Sequence, residues 1–376
     1  MDSALAALAW QLEQQPPRRP AGPAAVRFVG ARAGLAPLLR RQGWDPAEGA
    51  WQALQTQAGW AATLASEPDW QLSAGVRGWQ PGGAVSAEAV LEEPPEAQPH
   101  LVLLLPPRGR EASRGALARA WLALAGGGEL RTALRNDQGA RSLERDLACL
   151  SPTLEVASKH HCRVLRAVRG RADEGLAQAR EWQAQAAPRA DADGDWSEAG
   201  VFAHGRLDAG SALLIEQLPD RLAGGRVADL GAGTGALAAA VLARARAPLQ
   251  LDLYELEARA LALAARRLAP AVAAGGHQLQ LYWQDLRGGL GPRDAARGYD
   301  LILSNPPFHV DGREDLGLGL AFLRAAAAAL HPQGSFWLVA NRHLPYAETL
   351  KACFGELDSL AETAQYRVLR ARRPRR

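Results

Sequence analysis

Val227-Ala228-Asp229-Leu230-Gly231-Ala232-Gly233-Thr234-Gly235-Ala236 is a short apolar run that ends in three alternating glycines and gives way to good helix formers. It reads as a strand, Arg226 to Leu230, turning into a helix, Ala236 to Arg246. Glycines placed there let the backbone turn sharply and let a ligand approach where a Cβ would collide, although similar runs also serve tight turns with no ligand. The spacing is Gly-x-Gly-x-Gly, not the Gly-x-Gly-x-x-Gly of the dinucleotide fingerprint. Outward from this loop the pattern alternates. Leu249 to Tyr254 predicts a strand and Glu257 to Leu268 a helix. Gln278 to Trp283 and Tyr299 to Ser304 predict two more strands. An alanine-rich helix, Phe322 to Leu330, is closed by His331-Pro332-Gln333-Gly334 and followed by a strand, Ser335 to Ala340. Such βαβ alternation implies an α/β fold with a mainly parallel sheet covered by helices on both faces. Ligands of such a sheet sit beyond the carboxyl ends of its strands.

Several polar residues fall at those ends. Glu255 lies 20 residues after Gly235, where a carboxylate can accept from both hydroxyls of a ribose. The alternative is an acid at a helix N-terminus, favoured by the macrodipole. Asp285, just past the next strand, can accept from an adenine amino group or serve as a turn residue. Ser304-Asn305-Pro306-Pro307-Phe308 is the most specific signal. Two prolines fix the backbone and remove N–H groups, leaving carbonyl oxygens to face a ligand. The Asn305 side-chain oxygen and the Pro306 carbonyl can then accept the two hydrogens of an exocyclic amine, with the Phe308 ring stacked on its base.

The chain reads as two related halves. Leu101 to Pro107 matches Leu301 to Pro307 at an offset of 200, Arg163 to Arg169 matches Arg367 to Arg373 at 204, and Val26 to Leu35 matches Val227 to Ala236 at 201. Three matches in one order point to an internal duplication. We expect an amino-terminal domain at residues 1–182, a polar linker at 183–197 containing Pro188 and Gly194, and a carboxy-terminal domain at 198–376. The amino-terminal copy loses the chemistry: Phe28 stands against Asp229, Arg32 against Gly233, Leu105 against Asn305 and Arg108 against Phe308. We expect a degenerate domain that supports its partner or grips a macromolecular ligand. Trp44, Trp51, Trp60, Trp70 and Trp79 in this half read as core and interface.

Composition narrows the class. With 376 residues, 48% hydrophobic and 22% charged, the chain is neither a disordered polymer nor a fibre. Net charge is +3, and only Lys159 and Lys351 are lysines, an arginine bias that a GC-rich coding sequence would produce. Six arginines among residues 367–376 read as a solvated tail or a phosphate contact. Cys149, Cys162 and Cys353 are too few for a disulfide framework. His160-His161 beside Cys162 lacks a second cluster, so no metal is expected. No run approaches a membrane span, and Met1-Asp2-Ser3 lacks the basic start of a secretory signal. A cytoplasmic protein is expected.

Gly231-Ala-Gly233-Thr-Gly235, Glu255, Asp285 and Asn305-Pro-Pro-Phe308, in this order, resemble a class I S-adenosylmethionine-dependent methyltransferase acting on a planar exocyclic nitrogen. Phe202-Ala-His-Gly205-Arg-Leu-Asp208-Ala-Gly210-Ser211 is similar to the entry motif of one branch, the bacterial ribosomal RNA guanine-N2 methyltransferases, and Asn341-Arg-His-Leu-Pro345-Tyr346 to its late strand and loop. The resemblance is nearest to the small-subunit type, a duplicated pair of Rossmann-like methyltransferase domains. It implies S-adenosyl-L-methionine as cofactor and 16S ribosomal RNA or the small ribosomal subunit as partner. It also implies a cofactor site of Asp229, Gly231, Gly233, Gly235, Glu255, Asp285, Asp208 and Ser211, with Asn305, Pro306 and Phe308 catalytic. A monomer is expected, the duplicated half serving as an internal partner. A large-subunit guanine-N2 methyltransferase and a catalytically inert RNA-binding assembly factor remain open alternatives. The release-factor glutamine methyltransferases share Asn-Pro-Pro, but commonly carry Tyr where this chain has Phe308 and lack a duplicated half.

Overall fold

A computed structural model describes the chain apart from residues 1, 21–23, 48–50, 74–84, 86–97, 171–174, 193, 202–206, 292–297, 308, 311–312, 315 and 376. The chain forms two compact units, the first from residues 1–77, 92–189 and 198–200, the second from 78–91, 190–197 and 201–376.

The first unit holds β1 (Val26–Val29), β2 (Trp51–Leu54), β3 (Gln71–Ser73), β4 (Leu101–Leu104), β5 (Glu129–Arg135), β6 (Leu154–Lys159) and β7 (Cys162–Val168), in the order β3-β2-β1-β4-β5-β7-β6. Then come two short strands, β8 (Arg189–Ala190) and β9 (Trp196–Ser197). The second unit holds β10 (Gly225–Leu230), β11 (Leu249–Glu255), β12 (Gln278–Trp283), β13 (Tyr299–Ser304), β14 (His309–Val310), β15 (Arg313–Glu314), β16 (Leu330–Asn341), β17 (Phe354–Glu362) and β18 (Tyr366–Pro374). Its main sheet runs β12-β11-β10-β13-β16-β18-β17, with β14 and β15 a separate ribbon. Strand for strand the two seven-stranded orders are the same, as a duplicated unit requires. In each, the first five strands are parallel and the last two antiparallel.

Central strands are buried on both faces. Four consecutive residues of β10 (Val227 to Leu230) and of β13 (Leu301 to Ser304) are buried, the signature of a parallel strand between helix layers. The first core gathers Phe28, Trp44, Trp51 and Trp70, with Trp51 and Trp70 ring centroids 5.2 Å apart. The second gathers Tyr254, Tyr282, Phe322, Phe336 and Phe354, and Tyr254 stacks on Tyr282 at 4.5 Å. Trp60 departs from the expected core placement. It is 37% exposed and carries the Arg32 guanidinium on its face at 4.3 Å. Trp79 lies outside the described residues.

Element boundaries moved where a local signal was outweighed. The helix expected to stop at Leu268 runs Ala258–Gly275, because Pro270 is on its exposed side and removes only a hydrogen bond that faces water. The helix expected from Phe322 begins at Leu316 despite Gly317 and Gly319. A Cβ at Gly319 would fall 1.7 Å from the Tyr346 hydroxyl, so the small residue makes room for a buried ring. His331 to Gly334, expected as a helix stop, is an irregularity within β16: register passes from Tyr299 opposite Leu330 to Leu301 opposite Ser335. The 183–197 stretch is built rather than featureless. Residues 183–185 finish the helix Leu176–Gln185, β8 pairs with β9, and Trp196 packs on Ala260 and Leu263.

Four of the six arginines at the carboxyl end, Arg367, Arg370, Arg372 and Arg373, lie in β18, paired with β16 on one side and β17 on the other. Arg370 stands opposite Asp358, Arg372 opposite Glu356 and Arg367 opposite Glu362. Each makes an ion pair with the acid it faces, at 2.8, 3.1 and 2.9 Å. Among the described residues no helix is long and apolar enough to cross a membrane.

Candidate active site

The carboxyl ends of β10, β11 and β13 bring the motif residues of the second unit together. At the end of β10 all three glycines take positive φ, 74°, 54° and 79° for Gly231, Gly233 and Gly235. Their surroundings differ. A Cβ at Gly231 would press on the Phe322 ring at 3.0 Å and one at Gly235 on Ala264 at 3.1 Å, so these two permit close packing. A Cβ at Gly233 would meet nothing within 4 Å. That glycine faces open space, where a ligand can come to the backbone.

Asp229 sits beneath the loop with none of its surface exposed, and neither carboxylate oxygen has a hydrogen-bond partner. Burial pushes its carboxyl up to about 7 and the nearby Glu255 charge adds to this, while the Ala238 amide opposes it from short of full hydrogen-bond geometry. Glu255 closes the other side. Its Oε2 accepts from the Gly233 N–H at 2.8 Å and its Oε1 from the Glu257 N–H at 2.9 Å. Burial raises its pKa and those two N–H groups pull against the rise. A carboxylate has about four lone-pair positions, so Glu255 keeps room for two hydroxyl donors. Asp285 is engaged in part. It caps a short 3₁₀ turn, Leu286–Gly288, by accepting from the Arg287 N–H at 3.0 Å, and pairs with the Arg287 guanidinium at 2.9 Å.

Asn305 follows β13. Ser304 opposite Leu230 in register donates its hydroxyl to the Leu230 carbonyl at 2.7 Å, tying the two strand ends and therefore the two motifs. Pro306 is buried. Pro307 lies against the glycine turn, 3.8 Å from where a Gly231 Cβ would be. Both Asn305 amide donors are directed at one wall: Nδ2 donates to Asp208 Oδ2 at 2.8 Å and to Ser211 Oγ at 2.9 Å. Asp208 also caps the helix Ala209–Gln217, accepting from the Ser211 N–H at 2.9 Å. Asp208 and Ser211 therefore bond to Asn305, a link that sequence spacing does not reveal across 97 residues. Phe308 and Phe202 to Arg206 lie outside the described residues.

The first unit repeats the backbone of this site with other side chains. Gly30 and Ala31 donate to the Leu54 carbonyl at 2.9 and 3.2 Å, as Gly231 and Ala232 donate to that of Tyr254 at 2.8 and 3.1 Å. Gln55 stands at the place of Glu255: its Oε1 accepts from the Gln57 N–H and its Nε2 donates to the Ala31 carbonyl at 2.6 Å. Phe28 packs against Trp70 where Asp229 would be. The Arg32 guanidinium donates to the Gly30 carbonyl at 2.8 Å. Leu105 is buried and offers no amide. His160 and His161, both at positive φ, form the two-residue turn between β6 and β7. Among the described residues no three His, Cys, Asp or Glu side chains gather as a metal site.

Comparison with known proteins agrees with this picture. Residues 196–370 match the methyltransferase small domain. The chain is 37% identical over 184 residues to the ribosomal RNA small subunit methyltransferase C of Chromohalobacter salexigens, a region that is 48% of this chain and 51% of that protein. The protein of the same name from Shewanella amazonensis is 30% identical over 237 residues, 62% of this chain and 65% of the relative. Alignments thus span from about half to nearly two thirds of these relatives. Among solved structures, T. thermophilus 16S rRNA N2 methyltransferase, in complex with AdoMet and guanosine, superposes over 98% of this chain and 92% of its own, with TM-score 0.71 and 24% identity. This likeness covers both units and establishes the fold as two tandem methyltransferase-like domains.

Proposed function

We propose that the chain transfers a methyl group from S-adenosyl-L-methionine to the exocyclic N2 of a guanine in 16S ribosomal RNA, acting on the small ribosomal subunit. The observation that carries this reading is an Asn-Pro-Pro amide whose hydrogens are both engaged, held at a strand end beside a glycine loop with an unpartnered buried carboxylate.

The residues fit the cofactor. Asp229 offers two unsatisfied oxygens to a cationic group, Gly233 offers open backbone, and Glu255 offers lone pairs to ribose hydroxyls. When bound, the cofactor supplies an electrophilic methyl on a sulfonium. The side chains supply the rest. Guanine N2 is a poor nucleophile because its lone pair is delocalised into the ring. Asn305 Oδ1 and the Pro306 carbonyl would accept its two hydrogens, favouring a more tetrahedral nitrogen with its lone pair aimed at the methyl. In-line positioning of this kind supplies on the order of 7–11 kcal/mol when the geometry is good. The bond to N2 would form as the carbon–sulfur bond breaks, with that electron pair kept by sulfur as a neutral thioether, and the extra proton on N2 would then pass to water. The base must be splayed from its stack to enter, at a cost of a few kcal/mol in a duplex and less in a loop. Phe308 would stack on it.

Residues 1–182 act in this reading as a degenerate copy, with Gln55, Phe28 and Leu105 replacing the groups that would bind cofactor and amine. The 183–197 stretch joins it to the catalytic domain, 198–376. In this reading the protein works in the cytoplasm, where it would meet ribosomal subunits. Asn305→Ala tests the central role. It should abolish methyl transfer and leave the dissociation constant for S-adenosylmethionine within about twofold by titration. A parallel loss of both would assign Asn305 to cofactor binding instead.

A further inference from the structure

We infer that Asp208 is a positioning residue for the Asn305 amide and sets the chemical class of group the site accepts, an inference that rests on the function proposed above. A side-chain carboxamide can present either its oxygen or its NH2. Guanine N2 is a donor, so only the oxygen is productive; a flipped amide would set donors against donors. Asp208 Oδ2 accepts from Asn305 Nδ2 at 2.8 Å and Ser211 Oγ stands 2.9 Å from the same nitrogen. An ionised carboxylate can only accept, so the atom facing it must be Nδ2. The flipped amide is thereby excluded and Oδ1 is the atom left for the base. A negative charge beside Nδ2 also polarises the amide and makes Oδ1 a stronger acceptor.

The carboxylate is itself held. Its Oδ2 caps the helix Ala209–Gln217, accepting from the Ser211 N–H at 2.9 Å. Gly210 lets Tyr366 close over it: a Cβ there would lie 3.1 Å from Asp208 Oδ2 and 3.2 Å from the Tyr366 ring. Burial and the Asp208 charge together raise the Tyr366 phenol above its ordinary value, as expected for a ring pressed on a carboxylate. An aspartate of the entry segment thus acts through Asn305 rather than on the cofactor.

The test uses the full chain with labelled S-adenosylmethionine and small subunits. Asp208→Ser keeps a capping oxygen but is too short to reach Asn305; Asp208→Asn keeps both cap and acceptor. We expect Asp208→Ser to lower kcat on the order of 10²-fold, the cost of a misplaced group, with cofactor affinity and Tm nearly unchanged. Asp208→Asn, which can still accept from Asn305 but can also turn its own NH2 toward a flipped amide, should lose clearly less than Asp208→Ser. In an Asn305→Asp background, Asp208→Asn should restore part of the lost kcat, because the new amide can donate to the new carboxylate. Unchanged kcat in Asp208→Ser would overturn the inference. So would a matching loss of cofactor affinity, which would make Asp208 a cofactor ligand, or equal losses in Ser and Asn, which would demand the charge alone. The Asn305 side-chain NH2 signals give a readout independent of turnover: slow hydrogen exchange in the wild type and fast exchange in Asp208→Ser support the inference, and equal exchange contradicts it. Wild-type protein that labels no RNA would overturn the proposed function, and the exchange measurement would still decide the position of the amide.

Discussion

A carboxylate sealed from water with no hydrogen-bond partner is a costly group to fold, and Asp229 is one. Its folded pKa, about 7, lies above the ordinary 3.8. Such a group contributes stability that is complete below the unfolded value and lost as pH rises through the folded one. We therefore predict that Asp229→Asn, measured without cofactor, melts higher than wild type above pH 7, and that the gap shrinks toward zero as pH falls to about 4. Parallel melting curves over that range would contradict the burial argument. The strain is useful if the missing partner is a cationic ligand. Asp229, Glu255 and Asn305 were legible in the sequence as polar residues at or just past the ends of apolar runs, and the structure puts all three at neighbouring strand ends. The work of Asp208 was not, because its partner is distant in sequence and the contact exists only once β13 and the helix Ala209–Gln217 have docked. Asp285 stands just past its strand end as the sequence places it, and it also caps its own turn and pairs with Arg287, contacts that leave lone pairs for a further donor.

At the scale of elements, the parallel core of the second unit was readable because its strands are short apolar runs punctuated by glycine and by helices. The final pair was not. β17 is mostly half-exposed and β18 alternates arginine with apolar residues, so neither carries an apolar run, and a row of arginines resembles a tail until its acids are seen opposite. The ladder has a consequence for RNA binding. Arg367, Arg370 and Arg372 face Glu362, Asp358 and Glu356 in ion pairs, which lowers their value as phosphate contacts. We predict that Arg370→Ala combined with Arg372→Ala changes the salt dependence of RNA binding little. Exposed pairs of this kind are each worth roughly 0–1 kcal/mol, so Tm should fall only by a few degrees. Truncation before Tyr366, by contrast, removes the strand between β16 and β17 and should prevent folding of the second unit. A marked flattening of the salt dependence in the double variant, with unchanged Tm, would show these arginines to be RNA contacts after all.

The whole molecule is one topology written twice, and the Asp, Glu and Asn of the motif loops stand in one copy only, with Phe28, Gln55 and Leu105 at their places in the other. The repeat was visible in three matches at nearly constant offset. The built ribbon between the copies was not, since β8 and β9 have only two residues each and Trp196 finds its packing only on the helix Ala258–Gly275. If the first unit serves the second as an internal partner, the chain has no need of another copy. Sedimentation at micromolar concentration should then give a single species near 40 kDa. A dimer that persists on dilution would contradict this. The reading of the active site rests on one measurement above the others: methyl incorporation from labelled S-adenosylmethionine into purified small and large ribosomal subunits that lack their own modifications. The account predicts label in small subunits alone, recovered after digestion as N2-methylguanosine. Label in large subunits would contradict the substrate, and no label in either, with cofactor bound, would contradict the assignment of the chain to ribosomal RNA methylation.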